Sequence, residues 1–187
     1  MYLNLIISKM KLILARHGET EENLKGLIQG WLQGRLTKKG LIQAKNLGLQ
    51  LKKYDLELIF SSDLDRCVKT AQEIFKTNKT KKLILTKLLR ERSYGEFEGK
   101  VVTLKDLEAL PGGFYHGKPA NGESLYDVYL RLKTFYSKLK DYQVNTIAIV
   151  THNGPIRISQ LIINNKPLEE LPSVHGIDNA SFLKLEF

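Results

Sequence analysis

Three short stretches of the chain carry residue types that handle phosphoryl groups: Arg16-His17-Gly18, Ser61 to Arg66, and Thr151-His152-Asn153-Gly154. A neutral imidazole can attack phosphorus. Arginine offers a planar fork to anionic oxygens and can neutralise charge that builds up in a transition state. A carboxylic acid is also needed to protonate the departing oxygen. Glu91 is one candidate, placed between Arg90 and Arg92 after a strand-like run. Spacing alone does not separate it from Glu19 or Glu123. No Cys, His, Asp and Glu side chains recur at zinc-ligand spacing, and there is no Walker loop and no G-x-G-x-x-G. These residues therefore suit phosphoryl transfer that calls for no metal and no other cofactor.

Something must bring the three stretches together. Lys11–Ala15, Leu56–Phe60, Leu83–Thr86 and Thr146–Val150 read as short buried strands, and Phe182–Phe187 alternates like a terminal strand. Between them lie amphipathic helices. One is capped by Thr37 and carries Leu41, Ala44, Leu47, Gly48 and Leu51 on one face. The next carries Leu64, Cys67, Ala71, Ile74 and Phe75, with Ser61, Ser62 or Asp63 as its cap. Thr103 opens a short helix that ends before Pro111. Ser124 to Asp127 resembles a capping box at the start of a long helix carrying Leu125, Val128, Leu132, Phe135 and Leu139. A last helix follows His152. Alternating strands and helices predict a three-layer α/β/α sandwich on a mostly parallel sheet. Such a sheet puts all three stretches at the C-terminal edge of its strands, where ligands bind. Arg66 falls in a first helical turn, a favourable place for an anion.

The chain has 187 residues, with 29 Lys and Arg against 20 Asp and Glu, a formal charge of +9. This length fits one domain with a full core. The basic balance invites polyanions, nucleic acid and phosphorylated metabolites among them. Only seven of the basic residues are arginine: Arg16, Arg35, Arg66, Arg90, Arg92, Arg131 and Arg157. About half of these are expected to be plain surface residues. The single cysteine, Cys67, forbids an internal disulfide, is expected in the core, and suits a reducing, cytoplasmic setting. No apolar run reaches the length of a membrane span.

The motifs resemble those of the histidine phosphatase superfamily, the phosphoglycerate mutase-like proteins. Leu14 to Thr20 is similar to that family's signature, and Asn23 follows at its spacing. Ser61 to Ala71 resembles its second arginine motif, Leu89 to Gly99 its acid loop, and Gly122-Glu123-Ser124 the opening of its long helix. Thr151 to Arg157 resembles its second histidine motif. All stand in family order. The resemblance implies that His17 is the nucleophile and forms a phosphohistidine. It implies that Arg16, Arg66 and His152 hold the phosphoryl group with help from Asn23, and that Glu91 is general acid and then base. Arg16 and Arg66 would push His17 towards its neutral form by like-charge repulsion. Glu123 is expected either to touch substrate or to favour a helix N-terminus.

One histidine phosphatase domain over 1–187 is the expectation, with a core from about 11, residues 1–9 as an extension or alternative start, and 99–122 as a substrate-facing insertion. The expected activity is metal-independent hydrolysis of phosphomonoesters of small metabolites, with a cofactor-dependent phosphoglycerate mutase as the alternative. A third reading, a basic module that binds nucleic acid without catalysis, lacks aromatic-basic interleaving. Neither nucleic acid nor a membrane is expected as partner. His116, in the Pro111 to Gly122 loop, reads as a surface residue. Arg35 stands where the family has proline and is expected to face solvent.

Overall fold

The computed structural model describes residues 10–80 and 82–187. The extension expected over residues 1–9 lies outside these residues. The elements in chain order are β1 (Lys11–Arg16), α1 (Glu21–Leu24), α2 (Lys38–Leu51), β2 (Leu58–Ser62), α3 (Asp65–Thr77), β3 (Lys82–Thr86), α4 (Leu104–Glu108), α5 (Gly113–His116), α6 (Leu125–Leu139), β4 (Thr146–Thr151), α7 (Asn153–Ile163) and β5 (Phe182–Glu186).

The strands form one sheet in the order β3-β2-β4-β1-β5. The first four run parallel and β5 runs antiparallel to β1. Successive side chains of a strand face opposite sides, and the core divides accordingly. Leu12, Leu14, Phe60, Ile147 and Ile149 pack with Leu132 and Phe135 of α6 and Ile156 and Leu161 of α7. Ile13, Ala15, Ile59, Ala148 and Val150 pack with Leu47 and Leu51 of α2 and Cys67, Ala71 and Ile74 of α3. Covering a parallel sheet on both faces is what makes its strands read as continuous apolar runs. The α/β/α sandwich expected from the sequence is the fold observed.

Register builds the site. Arg16 lies opposite Thr151 in the β1–β4 ladder. The residues that follow them, His17 and His152, therefore leave the sheet side by side. Ser61 lies opposite Val150, so β2 delivers Ser62 and the start of α3 to the same edge.

Three local expectations change. Leu41 is exposed because Gly40, not Leu41, turns inward on α2. A Cβ on Gly40 would lie 2.1 Å from the Glu19 carbonyl oxygen, and one on Gly18 would lie 2.5 Å from the Gly40 oxygen. This close backbone approach seats α2 beneath the His17 loop. Phe75 is likewise exposed, one position outside the buried stripe. The N-cap of α3 is Leu64, with no side-chain cap. Ser62 Oγ accepts from the Leu64 N–H at 3.3 Å instead, since its serine is needed further back, against His152. Thr37, Thr103 and Ser124 cap α2, α4 and α6 as expected.

Candidate active site

His17 is 3% exposed and its Nδ1 lies 2.8 Å from the Gly18 carbonyl. A carbonyl only accepts, so Nδ1 carries the hydrogen and Nε2 keeps its lone pair. Burial holds the His17 pKa well below its usual value, Arg66 and Arg16 lower it further, and the bond to Gly18 acts the other way. The ring is neutral at neutral pH, as a nucleophile must be. Asn179 Nδ2 and the Ala180 N–H donate to the His17 carbonyl at 3.1 and 3.0 Å, and Gly18 N–H donates to Thr70 Oγ1 at 3.1 Å.

His152, fully buried, stands beside it with ring centroids 5.2 Å apart in an edge-on arrangement. Arg66 Nε donates to its Nδ1 at 3.2 Å, which places the His152 hydrogen on Nε2, 2.9 Å from Ser62 Oγ. Burial lowers the His152 pKa well below its usual value, with Arg66 and then His17 adding to the effect. Cys67 is in the core as expected, but its sulfur also lies 3.4 Å from His152 Nε2. Burial pushes that thiol up to about 12, so it remains protonated.

Arg66 is 1% exposed. Besides His152, it donates from Nη1 to the carbonyls of Leu32 and Gln33 and from Nη2 to that of Gly30. Of five N–H groups, one is left over. Arg16 donates to the Ile177 carbonyl at 2.8 Å, and its Nε is buried with no partner. Among the described residues no carboxylate comes within ion-pair distance of either guanidinium. A buried cation without a counter-charge is costly. Arg66, fully buried, and Arg16, half-buried, feel Glu91 only at a distance; with donors to spare beside a free imidazole nitrogen, they fit an anion that arrives with the substrate.

Asn23 sits at the third position of α1, where its Oδ1 accepts from Thr20 N–H and Asn179 Nδ2, each at 3.2 Å. Its Nδ2 is left to donate. Glu91 Oε1 accepts from the Arg92 N–H at 2.9 Å, and Oε2 meets the Gly154 N–H of α7 at 3.4 Å. The structure therefore gathers His17, His152, Arg16, Arg66, Asn23 and Glu91 at one sheet edge. The Glu123 carboxylate is engaged within the protein. Both its oxygens face Arg131, at 2.9 and 3.1 Å, and Oε2 also accepts from Ser93 N–H. The N-terminus of α6 is capped by Ser124 and Asp127 instead.

Sequence reasoning missed Ser62, Asn179, Arg131 and Trp31. Ser62 lies in the Ser61 to Arg66 stretch, where its type suggests only a helix cap. Arg131 is a cation amid the apolar stripe of α6, a signal that was available. Asn179 has no local signal, since its partner His17 is 162 residues away. Of the seven arginines, Arg35 alone is a plain surface residue; Arg90, Arg92, Arg131 and Arg157 are tied to carboxylates or backbone carbonyls. His116 is exposed, 5.0 Å from the Tyr126 ring.

The family model of the histidine phosphatase superfamily (branch 1) matches residues 12–187. The chain belongs to that superfamily. Phosphoserine phosphatase 1 of Hydrogenobacter thermophilus is 34% identical over 181 residues, covering 92% of this chain and 84% of that protein. A 2,3-bisphosphoglycerate-dependent phosphoglycerate mutase of Bartonella bacilliformis is 32% identical over 175 residues, covering 86% and 84%. Among solved structures, a mycobacterial glucosyl-3-phosphoglycerate phosphatase in complex with VO3 superposes with a TM-score of 0.82 at 27% identity, covering 94% and 92%. The chain is an enzyme of the phosphatase type, and the mutase is the alternative among its relatives. No helix among the described residues is long and apolar enough to cross a membrane.

Proposed function

We propose that this histidine phosphatase hydrolyses phosphomonoesters of small metabolites through a phosphohistidine on His17. The observation that carries the reading is the free Nε2 of a neutral, buried His17 beside Arg16 and Arg66, neither of which has a carboxylate partner. In the first step Nε2 attacks phosphorus, the Nε2–P bond forms and the P–O ester bond breaks. Glu91 gives its proton to the departing oxygen, which leaves as the alcohol. In the second step water attacks phosphorus, Glu91 takes a proton from that water, and the Nε2–P bond breaks to release inorganic phosphate.

The protein's part is electrostatic and positional. Arg16 Nε, the spare N–H of Arg66 and Asn23 Nδ2 are donors for the phosphoryl oxygens. His152 holds Arg66 in place and adds no charge. For its ring to contact the phosphoryl group directly, it must release Arg66 or Ser62. Residues 99–122 decide the leaving group. Supporting this, Gly99 and Lys100 exchange backbone hydrogen bonds with Ile28 near the site, and Val101 and Leu104 are exposed beyond it.

A panel of phosphomonoesters assayed for phosphate release, with His17→Ala as blank, tests the reading. Phosphate release that survives in the blank sinks it. The mutase alternative has a relative at 32% identity in its favour. It predicts formation of 2-phosphoglycerate from 3-phosphoglycerate in excess of phosphate release.

A further inference from the structure

The Glu91 carbonyl accepts from two side chains, Trp31 Nε1 at 2.8 Å and Arg131 Nη2 at 2.9 Å. Arg131 Nη1 also donates to the Leu88 carbonyl at 2.8 Å. One guanidinium thus spans the backbone that leads into Glu91. Its own direction is fixed by the two oxygens of Glu123, one of which also takes the Ser93 N–H. The Arg131 and Glu123 side chains are only 13% and 17% exposed, and Arg131 stands on α6 between the fully buried Val128 and Leu132. Arg131 on this helix therefore grips residues 88 and 91, and Glu123, just ahead of the helix, grips residue 93.

The Glu91 carboxyl itself is held lightly. It has the N–H of the next residue and one long contact to Gly154. The space is also tight, since a Cβ on Gly154 would lie 2.5 Å from Glu91 Oε1. Backbone placement, more than side-chain bonding, decides where that carboxyl sits.

We infer that Glu123 and Arg131 are positioning residues for proton transfer from Glu91. This rests on reading Glu91 as the general acid. The proton passes from the Glu91 carboxyl to the ester oxygen as the P–O bond breaks. General acid catalysis contributes roughly 10²- to 10⁴-fold, and a displacement of about 1 Å can forfeit roughly 10²-fold. The loss falls on esters whose alcohol cannot leave unprotonated. A nitrophenolate leaves without help.

The test is kcat/KM, which covers the steps through leaving-group departure, for 4-nitrophenyl phosphate and for a simple alkyl phosphate. Glu123→Gln and Arg131→Lys are expected to lower alkyl phosphate turnover roughly 10- to 100-fold while 4-nitrophenyl phosphate stays within about 3-fold. Arg131→Lys introduced into Glu91→Gln is expected to add no further selective loss, because both act through one proton. Equal losses on both esters, or a further selective loss in the Glu91→Gln background, overturn the positioning role while a selective loss in Glu91→Gln alone leaves the acid standing. No selective loss in Glu91→Gln itself overturns the acid, and the positioning role falls with it.

Discussion

The two sides of the sheet edge treat their arginines differently. On the Glu91 side, Arg90 grips Asp63 with two bonds of 2.6 Å and Arg131 grips Glu123. On the His17 side, Arg16 and Arg66 have carbonyls and a neutral histidine but no carboxylate. Lack of a carboxylate is not sufficient to mark a ligand site. Arg92 and Arg157 lack one too, yet each ties two backbone carbonyls and bonds no histidine. What distinguishes the His17 side is charge without a carboxylate in contact, an unmet donor at Arg16 Nε and an open imidazole nitrogen together. The paired side is scaffold. The unpaired side is the one proposed to take the phosphoryl group.

Removing His17, the proposed nucleophile, is the largest perturbation of that contrast. His17→Asn is expected to lower kcat by roughly 10⁴-fold or more while phosphate binding persists. A variant that kept a tenth of wild-type turnover would remove His17 from the chemistry. Next comes a matched pair of arginine variants. Arg16→Gln should lower kcat/KM by roughly 10²- to 10³-fold and weaken the rise in melting temperature that vanadate or phosphate produces. Arg90→Gln should instead cost about 1–3 kcal/mol of stability, by leaving Asp63 unpaired, and keep the full response to anion. Similar anion responses in the two variants would erase the distinction between the two sides.

A pH experiment separates the histidines from their surroundings. Their folded pKa values lie below the unfolded value near 6.5, so the unfolded chain binds more protons as pH falls through 6.5 and stability is lost. Each ring contributes a loss of about 1 kcal/mol between pH 6.5 and 5.5. Urea unfolding of His17→Asn at the two pH values should show a decline shallower by that amount. The smallest effect belongs to the lysines. Lys76 pairs with Glu73 on the surface of α3, and Lys76→Gln should move stability by less than about 0.5 kcal/mol and leave activity unchanged.

Much of this was legible in the sequence because strand ends and helix caps are local. Lys11–Ala15 and Thr146–Val150 announce themselves as buried strands, each one residue short of the strand observed, and the residues that follow them fall at one edge of a parallel sheet. Arg66 in a first helical turn was readable for the same reason. The bonding of Arg66 to the Gly30, Leu32 and Gln33 carbonyls was not, because it depends on how a loop without regular structure folds over α3. Neither was the hold of Glu123 and Arg131 on residues 88, 91 and 93, which exists only once α6 and the acid loop meet. Gly40 shows how a helix face can be set by backbone contact, which a pattern of apolar residues alone does not reveal.

Covalent transfer to His17 is tested most directly by the stereochemical course at phosphorus, using a phosphorothioate monoester made chiral with oxygen isotopes and hydrolysed in isotopically labelled water. Two successive in-line displacements, first by His17 Nε2 and then by the acceptor, predict overall retention of configuration. Inversion would mean a single direct attack by water, and would contradict a phosphohistidine intermediate.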